Sequence, residues 1–384
     1  MTPSTPGFVF KVLATDGCSR RAVLDTPHGP VQTPTFMPVG TQGSVKSLSP
    51  VEVASTGAQV VLANTYHLLL RPGAEEVSAL GGLHTFVRWP HAMLTDSGGF
   101  QAFSLSSRAK GSALAAQSED GFVFKSHLDG STHALTPERA VRLQALLGAD
   151  IQMQLDVCPP AGASREVVEQ AVQRTTRWAR RALSTDRPER QALFGIVQGA
   201  CFADLRRSHA EELGALPFDG IALGGFSVGE PIDEMHDALA RVAPRLDAER
   251  PRYLMGVGTP RDLVLAIGAG IDMFDCVLPT RNARNGQAFT RRGPLVIKQA
   301  RWRVDPRPLD EECACACCTH GFSRAYLRHL YLSGEILSLR LLSLHNLHFY
   351  GELTSGARAA IEARRFDAWA RATLTSLAET AVAT

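Results

Sequence analysis

The feature that most constrains this chain is a rhythm of short apolar runs with helix-like segments between them. The runs fall at residues 35–39, 59–63, 92–95, 150–155, 193–197, 220–223, 252–257 and 271–274. Each is too short for a buried helix and has the length of a buried strand. Good helix starts lie between them: Ser49-Pro50, Thr136-Pro137-Glu138 and Thr259-Pro260-Arg261 each place a capping hydroxyl before a proline at the first helical position. Gly148 and Gly268 read as helix stops, and residues 165–183 as one long amphipathic helix. Strand-like runs alternating with helices predict an α/β fold, and eight of them predict a (β/α)8 TIM-type barrel over residues 1–298.

In such a barrel the C-terminal strand ends share one rim. Those ends read Gly40-Thr41-Gln42-Gly43, Asn64-Thr65-Tyr66-His67, Asp96-Ser97-Gly98-Gly99-Phe100-Gln101, Asp156-Val157-Cys158-Pro159, Gln198-Gly199, Gly224-Gly225, Gly258-Thr259 and Asp275-Cys276. Carboxylates, amides and glycines therefore gather where a barrel does its chemistry. The glycines let backbone approach a flat ligand closely.

The last of these ends opens the stretch on which the reading turns, GIDMFDCVLPTRNARNG from Gly270 to Gly286. It places an acid, Asp275, at the tip of a buried run and follows it with guanidinium and amide donors, Arg281 and Arg284 among them. A carboxylate there can attack or stabilise an electrophilic carbon. Arginines behind it can pair bidentately with phosphates. The net charge of +2 conceals a local excess. From Arg281 to Arg307 there are eight basic residues and one acid, Asp305, so the window is +7 and the remainder 2 − 7 = −5. A basic stripe on a mildly acidic body points to a polyanionic partner.

From residue 299 the pattern changes. Four of the eight cysteines crowd into Cys313-Ala314-Cys315-Ala316-Cys317-Cys318. No charged-then-apolar leader opens the chain and no apolar run nears the ~20 residues needed to span a bilayer, so the expected compartment is the cytoplasm. In a reducing compartment clustered cysteines read as metal ligands. Cys313, Cys315 and Cys318 with one histidine would make a closed, structural zinc site. By spacing alone His345 competes with His320 and His329, and Cys317 with its neighbours. The expected organisation is thus a barrel over 1–298, a zinc-binding subdomain over 299–350 and a C-terminal helix packing back on the barrel over 351–384.

Taken together, several stretches carry a family resemblance. They are Asn64-Thr65-Tyr66-His67-Leu68, Leu94 to Gln101, Ser126-His127-Leu128-Asp129-Gly130-Ser131, Gly195-Ile196-Val197-Gln198-Gly199, Gly224 to Glu230, Tyr253 to Pro260, the central stretch, the cysteine cluster, Ser323-Arg324-Ala325-Tyr326-Leu327 and His345-Asn346-Leu347. Spread over about residues 8–350, they make the chain resemble the bacterial tRNA-guanine transglycosylases, also called queuine tRNA-ribosyltransferases. The resemblance implies exchange of the wobble guanine in the tRNA anticodon loop for a 7-deazaguanine base. It implies Asp275 as nucleophile and Asp96 as general acid/base. It places Asp156, Gln198 and Gly225 at base recognition, with Phe100 and Met255 as apolar faces for the ring. Arg281 and Arg284 would grip anticodon-loop phosphates, and Cys313, Cys315, Cys318 and His345 would bind Zn(2+). Cys158 and Val228 match the bacterial base pocket and favour 7-aminomethyl-7-deazaguanine as the incoming base. A homodimer is the implied assembly. Ala200 departs from the family, standing where a second glycine often follows Gln198-Gly199. A non-catalytic tRNA-binding relative would lack the three acids. A retaining sugar hydrolase on the same barrel would need neither the basic stripe nor the cysteines.

Overall fold

The computed structural model describes residues 5–106 and 115–378. Eight parallel strands close into a barrel: Thr35–Met37 continuing as Val39–Gly40, then Val60–Ala63, Ala92–Thr95, Ile151–Met153, Ala192–Val197, Gly220–Leu223, Arg252–Leu254 and Met273–Asp275. Every run expected from the sequence forms its strand. The first is split at Pro38, which has no N–H to give to a ladder. Its carbonyl still accepts from Leu62 N at 3.0 Å, so the two pieces pair on opposite sides, with Met273–Asp275 and with Val60–Ala63, and complete the ring.

Both faces of these strands are apolar, because helices cover the outside and side chains fill the inside. The alternation is strict. Val60 and Leu62 point inward with Ala92, Leu94, Ala192, Phe194, Ile196, Tyr253 and Met273, while Val61, Ala63, Met93, Leu193, Val197, Leu254 and Phe274 pack under the helices. Extending seven of the eight inward rows by their period of two past the strand end gives Thr41, Asn64, Asp96, Gln198, Gly224, Met255 and Asp275, whereas the fourth row, Ile151 and Met153, gives Leu155, which packs in the outer core, so that Asp156 reaches the rim out of step. The apolar interior and the polar rim are thus one continuous pattern.

The opposite end of the barrel is sealed. An antiparallel sheet of Val9–Asp16, Ser19–Thr26 and Gly29–Thr33, which the sequence reading had not separated from the barrel, inserts Phe8, Leu24 and Val31 into the interior core. Beside it Arg20 reaches Asp272, donating from Nε to Oδ1 at 3.2 Å and also from Nη2 to Oδ2, while Arg252 N gives a third bond at 2.7 Å. A second antiparallel sheet, Ala115–Gln117, Phe122–Lys125 and Thr132–Leu135, is inserted after the third strand. The resembling stretch from Ser126 to Ser131 forms its hairpin turn, closed by Ser126 N to Ser131 O at 2.8 Å.

The helix starts behave as expected. Ser49, Thr136 and Thr259 all cap helices that begin with proline, and Arg165–Leu183 is a single 19-residue helix. Gly148 ends its helix in the left-handed conformation. Gly268 does not; it is the last helical residue, and the left-handed turn falls at Gly270, where a Cβ would press to 2.7 Å of the Cys18 carbonyl oxygen. The tail is not one helix. Ile336–Glu362 runs 27 residues and breaks at Arg364, and Phe366–Ala378 folds back to set Phe366 and Trp369 against the outer core. Among the described residues no helix is long and apolar enough to cross a membrane.

Candidate active site and metal centre

The rim encloses a cavity of about 310 Å³. Asp96, Phe100, Asp156, Cys158, Gln198, Gly225, Val228, Met255 and Asp275 all line it, so every residue expected to contact the base is brought to one place. Asn64, His67 and Tyr253 join them. Phe100 is half exposed at the mouth and Met255 half-buried. Ala200 is not on the wall.

Asp275 and Asp156 are each held through one oxygen, whereas Asp96 accepts through both. Asp275 Oδ1 accepts from the Tyr253 hydroxyl at 2.6 Å and from Gly256 N at 2.8 Å. Its Oδ2 has no partner among the described residues, which leaves a lone pair free. Burial pushes this carboxyl up, and the two donors pull it back. Asp96 accepts from Thr65 N at 2.9 Å and from the Asn64 amide, and burial lifts it to about 7 with the charge of Asp275 adding to the rise. The two carboxylates are close enough to disturb each other, and they differ: one has an open oxygen and the other is poised to hold a proton at neutral pH.

Asp156 accepts from Gln198 Nε2 at 2.6 Å, and burial raises it to about 6. Gln198 is fully buried and its Oε1 has no partner among the described residues. The amide sits there only because Gly224 and Gly225 lack side chains. A Cβ on Gly224 would come to 2.7 Å of Nε2 and one on Gly225 to 2.3 Å of Oε1. Carboxylate, amide and glycine backbone thus present acceptors and donors along one edge of a cavity sized for a flat heterocycle. Glu230 turns away from chemistry: its carboxylate accepts from Val228 N at 2.9 Å and Gly229 N at 3.1 Å and holds its own loop. Burial drives the Cys158 and Cys276 thiols up to about 12, so both stay protonated at neutral pH.

Past Asp275 the chain turns through Val277, on the cavity wall, into the helix Leu278–Arg284. Arg281 is exposed and Arg284 donates to the Thr280 carbonyl at 2.9 Å, and neither has a carboxylate partner among the described residues. The wider basic stripe is weaker than its sequence count. Arg291 pairs with Asp310 and Glu352, both outside the window, and Arg307 with Asp305.

Three of the four clustered cysteines converge on one histidine. The Sγ atoms of Cys313, Cys315 and Cys318 lie 3.5, 3.4 and 3.5 Å from His345 Nδ1, all buried. Zinc bond lengths of about 2.3 Å to sulfur and about 2.0–2.1 Å to nitrogen give tetrahedral edges of about 3.5 Å, so the set fits that ion. His345 Nε2 faces the Phe289 carbonyl at 2.8 Å, which fixes its proton there and leaves Nδ1 as a lone pair toward the sulfurs. Cys317 is buried outside the cluster, and His320 and His329 are exposed and take no part.

Reading the sequence alone missed Tyr253, Gly256 and Thr65, which hold the acids. Tyr253 was detectable, since it stands two residues before Met255 on an inward row. It also missed Arg206 and His209 behind Gln198.

Residues 16–379 match the family model described as queuine tRNA-ribosyltransferase. A queuine tRNA-ribosyltransferase of Sorangium cellulosum is 68% identical over 370 residues, covering 96% of this chain and 92% of that protein. Those of Syntrophobacter fumaroxidans and Solidesulfovibrio magneticus are 53% and 54% identical, covering 94% and 95% of this chain and 96% of each relative.

Proposed function

The chain belongs to the queuine tRNA-ribosyltransferase family, and from that premise we propose that it exchanges the wobble guanine of tRNA for 7-aminomethyl-7-deazaguanine by double displacement with retention. It is a tRNA-guanine transglycosylase, a pentosyltransferase. The observation that carries the mechanism is Asp275, held by one oxygen and open at the other, beside an acid raised to about 7.

In this reading Asp275 Oδ2 attacks the anomeric carbon of the extruded nucleotide. The C1′–N9 bond breaks as the C1′–O bond forms, giving a covalent aspartyl-ribose intermediate. Asp96 gives its proton to the departing purine. The incoming base then attacks the same carbon, its ring N–H proton returns to Asp96, and Asp275 is released as carboxylate. Two inversions leave the configuration unchanged. One glycosidic bond replaces another of similar energy, so the exchange itself calls for no nucleoside triphosphate.

Asp156 would accept from the amidine edge of the base, Gln198 Oε1 from a remaining ring donor, and an amide N–H at Gly225 would donate to its carbonyl oxygen. Phe100 and Met255 would cover the ring, and Val228 and Cys158 leave room for the aminomethyl group. Arg281 and Arg284, without acid partners, would take anticodon-loop phosphates, a contact weakened by salt. The cluster of Cys313, Cys315, Cys318 and His345 would hold a structural zinc ion. The assembly is expected to be a homodimer, which sedimentation tests.

Labelled guanine and unmodified tRNA provide the test. Incorporation by wild type, lost in Asp275→Ala, is the expected result. Binding of tRNA without incorporation would instead mark a non-catalytic relative, and cleavage of oligosaccharides a hydrolase. Elemental analysis should give one zinc per chain; folded protein without metal would refute the zinc assignment.

A further inference from the structure

Behind the base-reading edge, the helix Ala203–Gly214 sends two buried side chains, Arg206 and His209, toward the cavity wall. They stand three residues apart, hence on one face of the helix. Neither lines the cavity. Arg206 is fully buried and has no carboxylate partner among the described residues. A buried cation without a counter-ion is a costly placement unless its donors are taken up. Here they go to main-chain carbonyls at and beyond the ends of two strands. Nη1 reaches Val197 O at 3.5 Å, at the strand end, and Nε reaches Ala200 O, on either side of Gln198, and Nη2 reaches Gly225 O at 3.1 Å on the loop after the neighbouring strand. The guanidinium carbon lies 3.5 Å over the Phe226 ring, next in sequence to Gly225. His209 completes the attachment, for its Nδ1 accepts from Gln198 N at 2.9 Å. Burial lowers His209 to about 4, which keeps that lone pair available at neutral pH.

We propose that Arg206 and His209 are positioning residues that lock the Gln198 and Gly225 loops into the spacing that reads the base, and so set affinity and selectivity for it. The proposal rests on the transglycosylase reading above. The spacing has little slack. The Gln198 amide is hemmed in by Gly224 and Gly225, and the turn behind it puts Gly199 at φ +146° and Ala200 at φ +47°, the latter in a region that favours glycine. A loop so placed would relax without its tie. The planar fork of arginine spans both loops, and the single ammonium of lysine does not.

The experiment measures steady-state exchange for Arg206→Lys, His209→Leu and His209→Asn, with base and tRNA varied separately. Arg206→Lys and His209→Leu should raise KM for the incoming base about tenfold or more, narrow the preference for 7-aminomethyl-7-deazaguanine over guanine, and leave KM for tRNA within about twofold. His209→Asn, whose side-chain oxygen can take the place of Nδ1, should recover most of the loss. Should Arg206→Lys prove insoluble, the Leu–Asn pair at position 209 decides alone. Unchanged base KM and selectivity in folded variants would overturn the inference, as would a proportional fall in all parameters with a lowered Tm. Wild type that exchanges no base would instead remove the reading on which it rests.

Discussion

Asp272 precedes and Asp275 ends one three-residue strand of the barrel, yet they are handled in opposite ways. Asp272, at the sealed end, is fully buried, and both its oxygens are occupied by Arg20 and by Arg252 N. Asp275, at the open end, has no cation among the described residues; Oδ1 is tied by a phenol and an amide while Oδ2 has no partner among them. Burial raises both carboxyls, but only at Asp272 does a guanidinium oppose it. A buried acid whose lone pairs are all spoken for is architecture. One held by half and left open is chemistry.

The contrast breaks most sharply at Asp275. Replacing it with alanine is expected to cut base incorporation by at least about a thousandfold with little change in Tm, since no counter-ion is stranded. Asp272→Asn should do the reverse. It leaves Arg20 buried beside an uncharged partner, a loss of about 3–5 kcal/mol in denaturant titrations, while the folded fraction keeps its turnover. Asp96 sharpens the comparison through pH. Its folded-state value of about 7 lies above the ordinary 3.8, so the folded protein binds the extra proton. The stability this lends is full below pH 3.8 and is lost as pH rises through about 7. Asp96→Asn should therefore gain stability relative to wild type between pH 4 and pH 8; a difference that stays flat across that window would show Asp96 to be ionised throughout. The smallest effect is expected at Ala200, whose φ of +47° suits glycine. Ala200→Gly trades that strain against chain entropy, for a gain of about 0.5 kcal/mol or less, read as a slight rise in Tm.

The same contrast explains what could be read beforehand. Barrel and rim were legible because strand parity holds in seven of the eight strands: a residue two past an inward apolar position points at the mouth, and this places Asp96, Gln198, Met255 and Asp275 without coordinates, while Asp156, three past Met153, falls outside the rule. The Pro-initiated helices were legible for a similar local reason. Gly268 misled because any glycine near a helix end looks like a stop, whereas the sharp turn, with backbone and Arg252 closing in, was at Gly270. The terminal sheet hid because its outer strand, Val9–Asp16, alternates half-buried with exposed residues and buries no continuous run. Arg206 could not have been told from Arg207. They are adjacent and alike, one buried and one exposed, and only the loops behind the helix decide which. Basic residues of the stripe were overcounted because Asp310 and Glu352 arrive from elsewhere in the chain to neutralise Arg291.

One consequence belongs to the helix Ile336–Glu362. It carries His345 and, at the next position, Asn346, whose amide donates to the Pro279 and Gln287 carbonyls and whose oxygen accepts from Phe289 N. Four residues on, the Tyr350 hydroxyl meets the Gly258 carbonyl. A single rod therefore joins the cluster of three cysteines and His345 to the segment bearing Arg281 and Arg284, so under the proposed function removing a metal from that cluster should loosen the hold on RNA before it disturbs Asp275.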